Sequence, residues 1–203
     1  MLTDQIKKAV IESQHCQRNW DLSKSMPKED LDLLVFAATN CPSKQNVSFY
    51  KVHVITNRDV IEKIHEQTTG FNYNGRNMTN SQTLANVLFV FTENSGLLLR
   101  QQWYKKTLHS DKSSTLERDR HMAVGIATGY LNILASMMGY GTGYCACFSN
   151  EPIKQILGTD SNVVLMLGIG YTDSNRNRRI HHIDSSFVFP AISKEPIQVT
   201  FIE

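Results

Sequence analysis

The chain has 203 residues, of which 41% are hydrophobic and 20% charged, and it carries a formal net charge of +2 at pH 7. This length is enough for one sizeable core, so we expect a single domain over residues 1–203. The net charge is too small to indicate nucleic acid or a membrane surface as the main partner.

The four cysteines are Cys16, Cys41, Cys145 and Cys147. Their spacing matches neither a CxxC metal site nor a disulfide scaffold, and no secretory leader opens the sequence, so we expect a reduced cytoplasmic protein. Cys145 and Cys147 would share one face of a strand, where they pack or line a site. Cys41 is expected to be a small buried hydrophobic residue.

The first part of the chain predicts helices and a strand. Residues 2–14 have the apolar spacing of an amphipathic helix that ends near His15, and a second helix is expected over residues 27–38 because a proline and acidic residues occupy its first turn. Residues 49–55 alternate between apolar and polar side chains and predict a strand. A short helix follows over residues 59–65.

The later elements continue this alternation of helices and strands. The polar segment 67–81 predicts a loop, and the apolar run 86–92 predicts a buried strand. The remaining predicted elements are a helix over 97–108, a strand over 144–148, a helix over 151–157 and a strand over 163–168. This order indicates the α+β or α/β class.

The longest apolar run extends from Arg120 to Gly143, and it predicts a buried central helix that the glycine cluster 139–143 ends. Gly125 and Gly129 lie four apart, so we expect close packing there against a helix, a subunit or a flat ligand. A membrane span is the alternative interpretation. Thr128 and Asn132 interrupt the run and argue against it.

Two basic clusters, far apart in sequence, are candidate anion sites. The first is His15-Cys16-Gln17-Arg18, and the second is Arg176-Asn177-Arg178-Arg179, followed by His181-His182. Arginine guanidinium groups suit phosphate, and the clusters could converge on one phosphate in the fold. The alternative for the second cluster is a solvated basic loop. Adjacent histidines are expected to point apart, which argues against a metal site.

Two polar segments are further candidates. Pro42–Asn46 forms a proline-led turn that could read the polar edge of a heterocycle or simply reverse the chain. Asn72–Asn77 is either a second amide-rich site or an ordinary loop tip. The sequence contains no GxSxG, P-loop or GxGxxG signature after a strand, and no paired carboxylates in a predicted cleft. A cofactor enzyme fits this lack of catalytic side chains.

Taken in order, these segments resemble the FMN-dependent nitroreductase family from about His15 to Arg179. Residues 15–20 are similar to the family's Arg-Ser-x-Arg-x-aromatic opening, with Arg18 and Trp20 kept. Residues 42–50 resemble its Pro-Ser-x-x-Asn segment, and 125–148 its glycine-rich helix and Gly-Thr-x-Trp-x-Gly-x-Phe end. Asn77 stands where the family often has lysine.

The resemblance implies an α+β nitroreductase-like fold, with a central mixed or antiparallel sheet surrounded by helices, and an intertwined homodimer with FMN at each subunit interface. It also implies that the chemistry takes place on the flavin and needs no catalytic side chain, with backbone N–H groups near Ala146 and Cys147 facing the reactive edge. The residues that it places at the cofactor are His15, Cys16, Gln17, Arg18, Pro42, Ser43, Asn46, Asn74, Asn77, Ala146, Cys147, Arg176, Arg178 and Arg179.

The implied activity is a two-step reaction, in which NADH or NADPH reduces the flavin and a nitroaromatic, quinone or similar acceptor then takes the hydride at the same pocket. Phe71, Tyr73, Trp103 and Tyr104 either cover that pocket or pack. One alternative is a flavin-less protein of the same fold that binds a nucleotide or another anion. Another is a different FMN enzyme of this fold, such as a dehalogenase-like or flavin-destroying member.

Overall fold

The structure is a computed structural model that describes residues 2–94 and 113–202. The α-helices in this part of the chain are Leu2–Glu12 (α1), Lys28–Thr39 (α2), Arg58–His65 (α3), Ser113–Met137 (α4) and Asn150–Leu157 (α5). The strands are Tyr50–Ile55 (β1), Phe71–Tyr73 (β2), Arg76–Met78 (β3), Val87–Glu93 (β4), Gly141–Cys145 (β5) and Val163–Gly170 (β6). One-turn 3₁₀-helices cover Lys44–Asn46 and Ser81–Leu84.

Strands β1, β4, β6 and β5 form one sheet in that order, and every neighbouring pair is antiparallel. The two central strands are the apolar runs of the sequence, because a strand buried on both faces needs apolar residues at every position. β1 and β5 are the two edges. The expected α+β class is thereby confirmed, and the sheet is antiparallel.

The sheet lies between two layers of helices, and β4 shows this by its alternation. Phe89 and Phe91 face the cluster that contains Leu131 of α4 and Leu34 of α2. The intervening residues of β4 face the cluster formed with α3 and α5, which contains Leu88, Val90, Ile61, Ile64 and Ile153. Successive side chains of a strand point to opposite faces, so one strand supplies both cores.

Helix α4 has one buried face and one exposed face in the part of the chain that the structure describes. Ala127 and Leu131 lie on the buried face, whereas Ile126 and Tyr130 are exposed. A Cβ atom built on Gly125 or on Gly129 would meet nothing within 4 Å. The described residues therefore do not make the close packing expected at these glycines.

None of the helices in residues 2–94 and 113–202 is long and apolar enough to cross a bilayer. This finding includes α4, for which a membrane span was the alternative interpretation.

The loop expected over residues 67–81 is wrong, because this segment contains the hairpin of β2 and β3. Tyr73 pairs with Arg76 across the hairpin, and its tip is formed by Asn74 and Gly75. Their φ angles of +51° and +74° are those of a two-residue turn, for which Asn-Gly is a strong sequence signal. The polar composition of these short strands hid that signal.

The strand expected over residues 144–148 begins and ends earlier, at Gly141 and Cys145. Gly139, with a φ of +86°, follows the helix as expected, but the next two glycines belong to the strand. Cys147 lies beyond the strand and is exposed, whereas Cys145 is buried, so the expectation that both share one strand face is wrong. The predicted helix over 97–108, with Trp103 and Tyr104, lies outside the described residues.

Glycines make one face of β5 and β6 flat. Gly143 pairs with Gly168 across the two strands, and Gly141 pairs with Gly170. A Cβ atom on Gly143 would lie 2.5 Å from Cβ of Gln82, and a Cβ atom on Gly168 would lie 2.1 Å from the backbone oxygen of Gln82. Glycine in a strand often marks such an approach of another backbone.

Substitution Gly168→Ala should therefore lower the free energy of unfolding by about 1–3 kcal/mol, the usual cost of adding atoms to a packed site. Chemical denaturation monitored by circular dichroism measures this change. An unchanged unfolding midpoint would contradict the close approach of residues 82–85 to the sheet.

Candidate functional site between the two basic segments

The first basic segment lies along β5, on one edge of the sheet. The backbone N–H of Gln17 donates to the carbonyl of Thr142 at 2.8 Å, and Cys16 forms a parallel bridge with the same residue. The Trp20 indole N–H donates to the carbonyl of Ser81 at 2.9 Å. These bonds fix the backbone from which Arg18 projects.

The second basic segment is joined to the first through Asn19. The buried side-chain amide of Asn19 donates to the carbonyl of Asn177 at 2.8 Å and to that of Ile180 at 2.9 Å. In addition, the backbone N–H of Asp173 donates to Asn19 O at 3.1 Å. The two clusters that lie 158 residues apart in the chain thus meet in the fold.

Three arginines come together where these segments meet. Nη1 of Arg18 lies 3.3 Å from Cys16 O, and Nη1 of Arg178 lies 3.5 Å from the same oxygen. Arg179 Nε donates to Phe189 O at 2.8 Å, while the Arg18 guanidinium lies 4.2 Å above the centre of the Phe189 ring. Such a stack is a cation–π contact.

No described carboxylate balances the charge of this arginine cluster. Within residues 2–94 and 113–202, none of Arg18, Arg178 and Arg179 forms an ion pair, and Arg18 Nε is buried without a hydrogen-bond partner. Burial lowers the pKa of Arg18; the Cys16 thiol opposes this shift, and the other two guanidinium groups add to it. An anion bound here would relieve the repulsion.

Cys16 stands between these guanidinium groups and β5. Burial raises the pKa of its thiol, although Arg18, the Tyr144 backbone and Arg178 all act in the opposite direction. Its Sγ atom lies 3.9 Å from Tyr144 O. Cys16 is therefore a protonated, weakly hydrogen-bonding group at neutral pH.

Arg176 and His15 have other partners. Arg176 donates from Nη1 to His182 O and from Nη2 to His181 O, both at 3.1 Å. His15 is exposed, and its backbone N–H donates to Glu12 O at 2.9 Å in the last turn of α1. Of the arginines in the second segment, Arg178 and Arg179 are thus the ones that meet Arg18.

The polar turn that contains Ser43 and Asn46 borders a cleft of about 700 Å³ beside β1. Ser43 Oγ donates to Val47 O at 2.9 Å, and Lys44 Nζ lies 2.7 Å from Oδ2 of the buried Asp119 of α4. Pro42 is exposed at the start of the turn. Because β1 and β5 are opposite edges of the sheet, one chain does not bring this turn to the arginine cluster.

Two further candidate segments are the residues after β5 and the hairpin of β2 and β3. Ala146 and Cys147 are exposed, and Cys147 O accepts hydrogen bonds from Thr69 N at 2.9 Å and from Asn80 Nδ2 at 3.2 Å. Asn74 and Asn77 are exposed on the hairpin of β2 and β3. The two hydrogen bonds to the Cys147 carbonyl fix the orientation of the segment that follows β5.

The structure also shows polar residues that the sequence interpretation missed. Asn80 Nδ2 donates to Thr69 O at 2.6 Å and also to Cys147 O, so this side chain connects Thr69 to the segment after β5. Gln82 donates from Nε2 to Tyr144 O at 3.1 Å, and its buried Oε1 has no hydrogen-bond partner in the described ranges. Both residues lie between the hairpin and the buried strand β4, and no motif in the sequence marked them as site residues.

A model of the nitroreductase family matches residues 11–171. Among solved structures, a candidate nitroreductase of Bacillus subtilis is similar with a TM-score of 0.68 and 18% identity, covering 93% of this chain and 94% of that one. A candidate NAD(P)H:FMN oxidoreductase of Staphylococcus epidermidis has a TM-score of 0.65 and 18% identity, with 85% and 89% covered.

A candidate nitroreductase of Exiguobacterium sibiricum, solved in complex with FMN, has a TM-score of 0.63 and 15% identity, with 92% of this chain and 91% of that one covered. No curated protein matches the chain. At these low sequence identities, the structural similarity shows a shared fold. The family model matches most of the sequence. The chain therefore belongs to the nitroreductase family.

Proposed function

We propose that this chain is an FMN-dependent oxidoreductase that takes hydride from NADH or NADPH and passes it to a nitroaromatic, a quinone or a similar acceptor. The observation that carries this proposal is the arginine cluster of Arg18, Arg178 and Arg179, which has no carboxylate partner in the described residues. Among the similar proteins, one is named a candidate NAD(P)H:FMN oxidoreductase, and another was solved in complex with FMN.

The arginine cluster fits the phosphate of FMN. A phosphate monoester carries a charge of about −1.5 to −2 at pH 7, and guanidinium groups bind it with paired, charge-assisted hydrogen bonds. The buried, unpartnered Nε of Arg18 is a donor that such an oxygen would satisfy. His15, Cys16 and Gln17 would border the same phosphate through the backbone that carries Arg18.

The segment after β5 and the hairpin would bind the flavin ring. In this proposal, the backbone N–H groups of Ala146 and Cys147 face the ring, and Asn74 and Asn77 contact its polar edge. The flavin supplies the hydride chemistry when bound. The chain orients the ring, because the Cys147 carbonyl is held by Thr69 and Asn80, and fixed main-chain donors stabilise the negative charge that develops on reduction.

We also propose a homodimer in which the partner supplies the polar turn with Pro42, Ser43 and Asn46. This turn and the arginine cluster lie at opposite sheet edges of one chain, so a second copy is needed to combine them. Two apolar surfaces are open for this contact. One is the exposed face of α4, and the other is the tail 190–202, where Ile192 is 87% and Phe201 86% exposed.

A second candidate function is a flavin-less protein that binds a nucleotide or another anion with the same arginines. The half-buried, protonated thiol of Cys16 favours this candidate, because a thiol is a weaker hydrogen-bond donor to phosphate than the family's serine. Asn77, in place of a lysine, removes one cation near the proposed ring.

The visible spectrum of the purified protein tests the proposal, before and after addition of FMN and then of NADH or NADPH without oxygen. We expect a bound flavin spectrum that bleaches on addition of the nicotinamide. A protein that takes up no FMN would support the flavin-less candidate, and bound flavin that never bleaches would contradict the assigned electron donor.

Substitution Arg178→Gln should weaken FMN binding by about 10-fold or more, since a hydrogen bond to a charged group contributes roughly 1.5–3 kcal/mol. Titration of flavin fluorescence measures the dissociation constant. Lys63→Gln on α3 is the control, because it removes one exposed positive charge elsewhere. Equal affinities of the two variants would exclude Arg178 from the anion site.

Substitution Ile126→Glu should shift the protein from dimer to monomer, because it places a charge on the open apolar face of α4. Sedimentation velocity measures the change. Gln155→Glu, at an exposed position of α5, adds the same charge and should leave the dimer intact. A wild-type protein that sediments as a monomer would disprove the proposed assembly.

A further inference from the structure

Residues 177–189 form a closed loop whose two ends both belong to the arginine cluster. The backbone N–H of Phe189 donates to Arg179 O at 2.7 Å, and Ile180 bridges to Val188. We call this segment the closing loop. It begins with Arg178 and Arg179 and ends with the ring that lies beneath Arg18, so its conformation decides the geometry of the anion site.

Two histidines of the closing loop pack against a third at the end of α3. The ring centres of His181 and His182 are 4.4 Å apart, and those of His182 and His65 are 5.1 Å apart. The expectation that the adjacent histidines point apart is wrong, because the loop is not extended here. His181 also lies 5.9 Å from the ring of Phe189, which connects this histidine cluster to Arg18.

The hydrogen bonds of His65 suit a neutral ring. Its Nε2 lies 2.8 Å from the hydroxyl of Thr79, and its Nδ1 lies 3.3 Å from Asn80 O and 3.1 Å from the Thr83 hydroxyl. Thr83 itself donates to Asn80 O at 2.9 Å. A neutral ring with a proton on Nδ1 can therefore donate to these oxygens and accept from Thr79.

The two loop histidines differ in their partners for an additional proton, because the Thr79 backbone and Asp184 favour the charged form of His181. His181 Nδ1 accepts from Ile183 N at 3.4 Å. His182 Nδ1 is buried and has no hydrogen-bond partner in the described part of the chain. No group of three metal-binding side chains is found there either. The arrangement is thus built for uncharged rings.

The charged groups around the cluster also favour the neutral state. Arg58 of α3 and Arg176 of the preceding segment act on these rings as cations, while Asp184 is the acid that acts on His181. Asp184 in turn interacts electrostatically with Arg76 of β3. Guanidinium groups therefore outnumber carboxylates around the three rings.

Burial is the largest cause of the resulting shifts. It lowers the pKa of His65 to about 4, with His181 and Arg58 adding to the shift and Asn80 opposing it. It likewise lowers the pKa of His182 to about 4, with His181, His65 and Arg176 adding to it. The pKa of His181 is also lowered by burial, which outweighs the opposing effects of Thr79 and Asp184.

We propose that His65, His181 and His182 are positioning residues of the anion site: uncharged, they hold the closing loop so that Arg178 and Arg179 face Arg18, and their protonation releases the loop and lowers anion affinity. This inference rests on the proposed function, because it assumes that the arginine cluster binds the phosphate of FMN.

The pH window follows from the two states of the loop. A histidine in water has a pKa of about 6.5, and the packed rings of His65 and His182 have a pKa of about 4. The released loop therefore gains protons first as the pH falls from 6.5 to 4, and the packed loop is favoured above that range. At pH 5, transfer of His182 from its packed site to water shifts the balance toward release by roughly 30-fold. His65 stays on α3 with its partners Thr79, Asn80 and Thr83.

The test compares FMN affinity at pH 7.5 and pH 5.0 in the wild-type protein and in the double variant His65→Gln/His182→Phe. The variant cannot gain charge at these two positions, and its phenylalanine keeps a ring in the cluster. The phosphate of FMN loses charge near pH 6 in both experiments. We expect the wild-type affinity to fall at least about 10-fold more than that of the variant, and an equal fall would overturn the proposal.

A second measurement needs neither the variant nor the flavin. Imidazole ¹⁵N shifts of the wild-type protein should show His65 and His182 titrating below the pKa of about 6.5 of a free histidine, and hydrogen exchange corrected for intrinsic rates should rise in residues 177–189 at pH 5.0. Ring titrations near pH 6.5, or exchange that does not change, would overturn the proposal even if the variant fails to fold.

The two proposals fail in different ways. If FMN does not bind at any pH, the proposed function falls, and inorganic phosphate replaces FMN in the same affinity comparison. If FMN binds and the wild-type and variant proteins respond equally to pH, the positioning role falls and the proposed function stands.

Discussion

The buried side-chain amide of Asn19 is the contact on which the candidate site depends. It binds two carbonyls of the C-terminal segment while its own backbone belongs to the segment that carries Arg18. A buried amide that lost these acceptors would pay a desolvation cost of about 1–3 kcal/mol. These uncharged hydrogen bonds thus oppose the repulsion between the arginines of the two basic segments.

The flat glycine face of β5 and β6 also positions the segment that carries Arg18, because this segment packs directly on it. Gln17 and Gln82 approach the sheet more closely than a β-carbon would allow, so the site backbone rests on the sheet itself. Placing a binding segment on a rigid element makes its geometry more reproducible than that of a free loop.

The sequence predicted the elements whose signal is apolar periodicity. β4 and β6 are buried on both faces and read as continuous apolar runs, and α4 carries a buried stripe at helical spacing. The hairpin and β5 were misjudged because asparagine and glycine dominate them, and their structure comes from turn geometry and close backbone approach.

The candidate site shows a similar division. The clusters of basic residues could be found from the sequence, but only the fold separates Arg178 and Arg179, which meet Arg18, from Arg176, which holds the histidine carbonyls. Side-chain direction in an irregular segment depends on contacts far away in the chain. The same reason explains why Asn19, Asn80 and Phe189 carried no functional signal.

The separation of the polar turn and the arginine cluster on opposite edges of the sheet has a thermodynamic consequence for the proposed dimer. Cofactor binding and subunit association would share contacts, so each would strengthen the other by the same factor. Cofactor occupancy would then depend on protein concentration as well as on flavin concentration. A dilute preparation would lose flavin through dissociation of its subunits, with no change in any residue of the site.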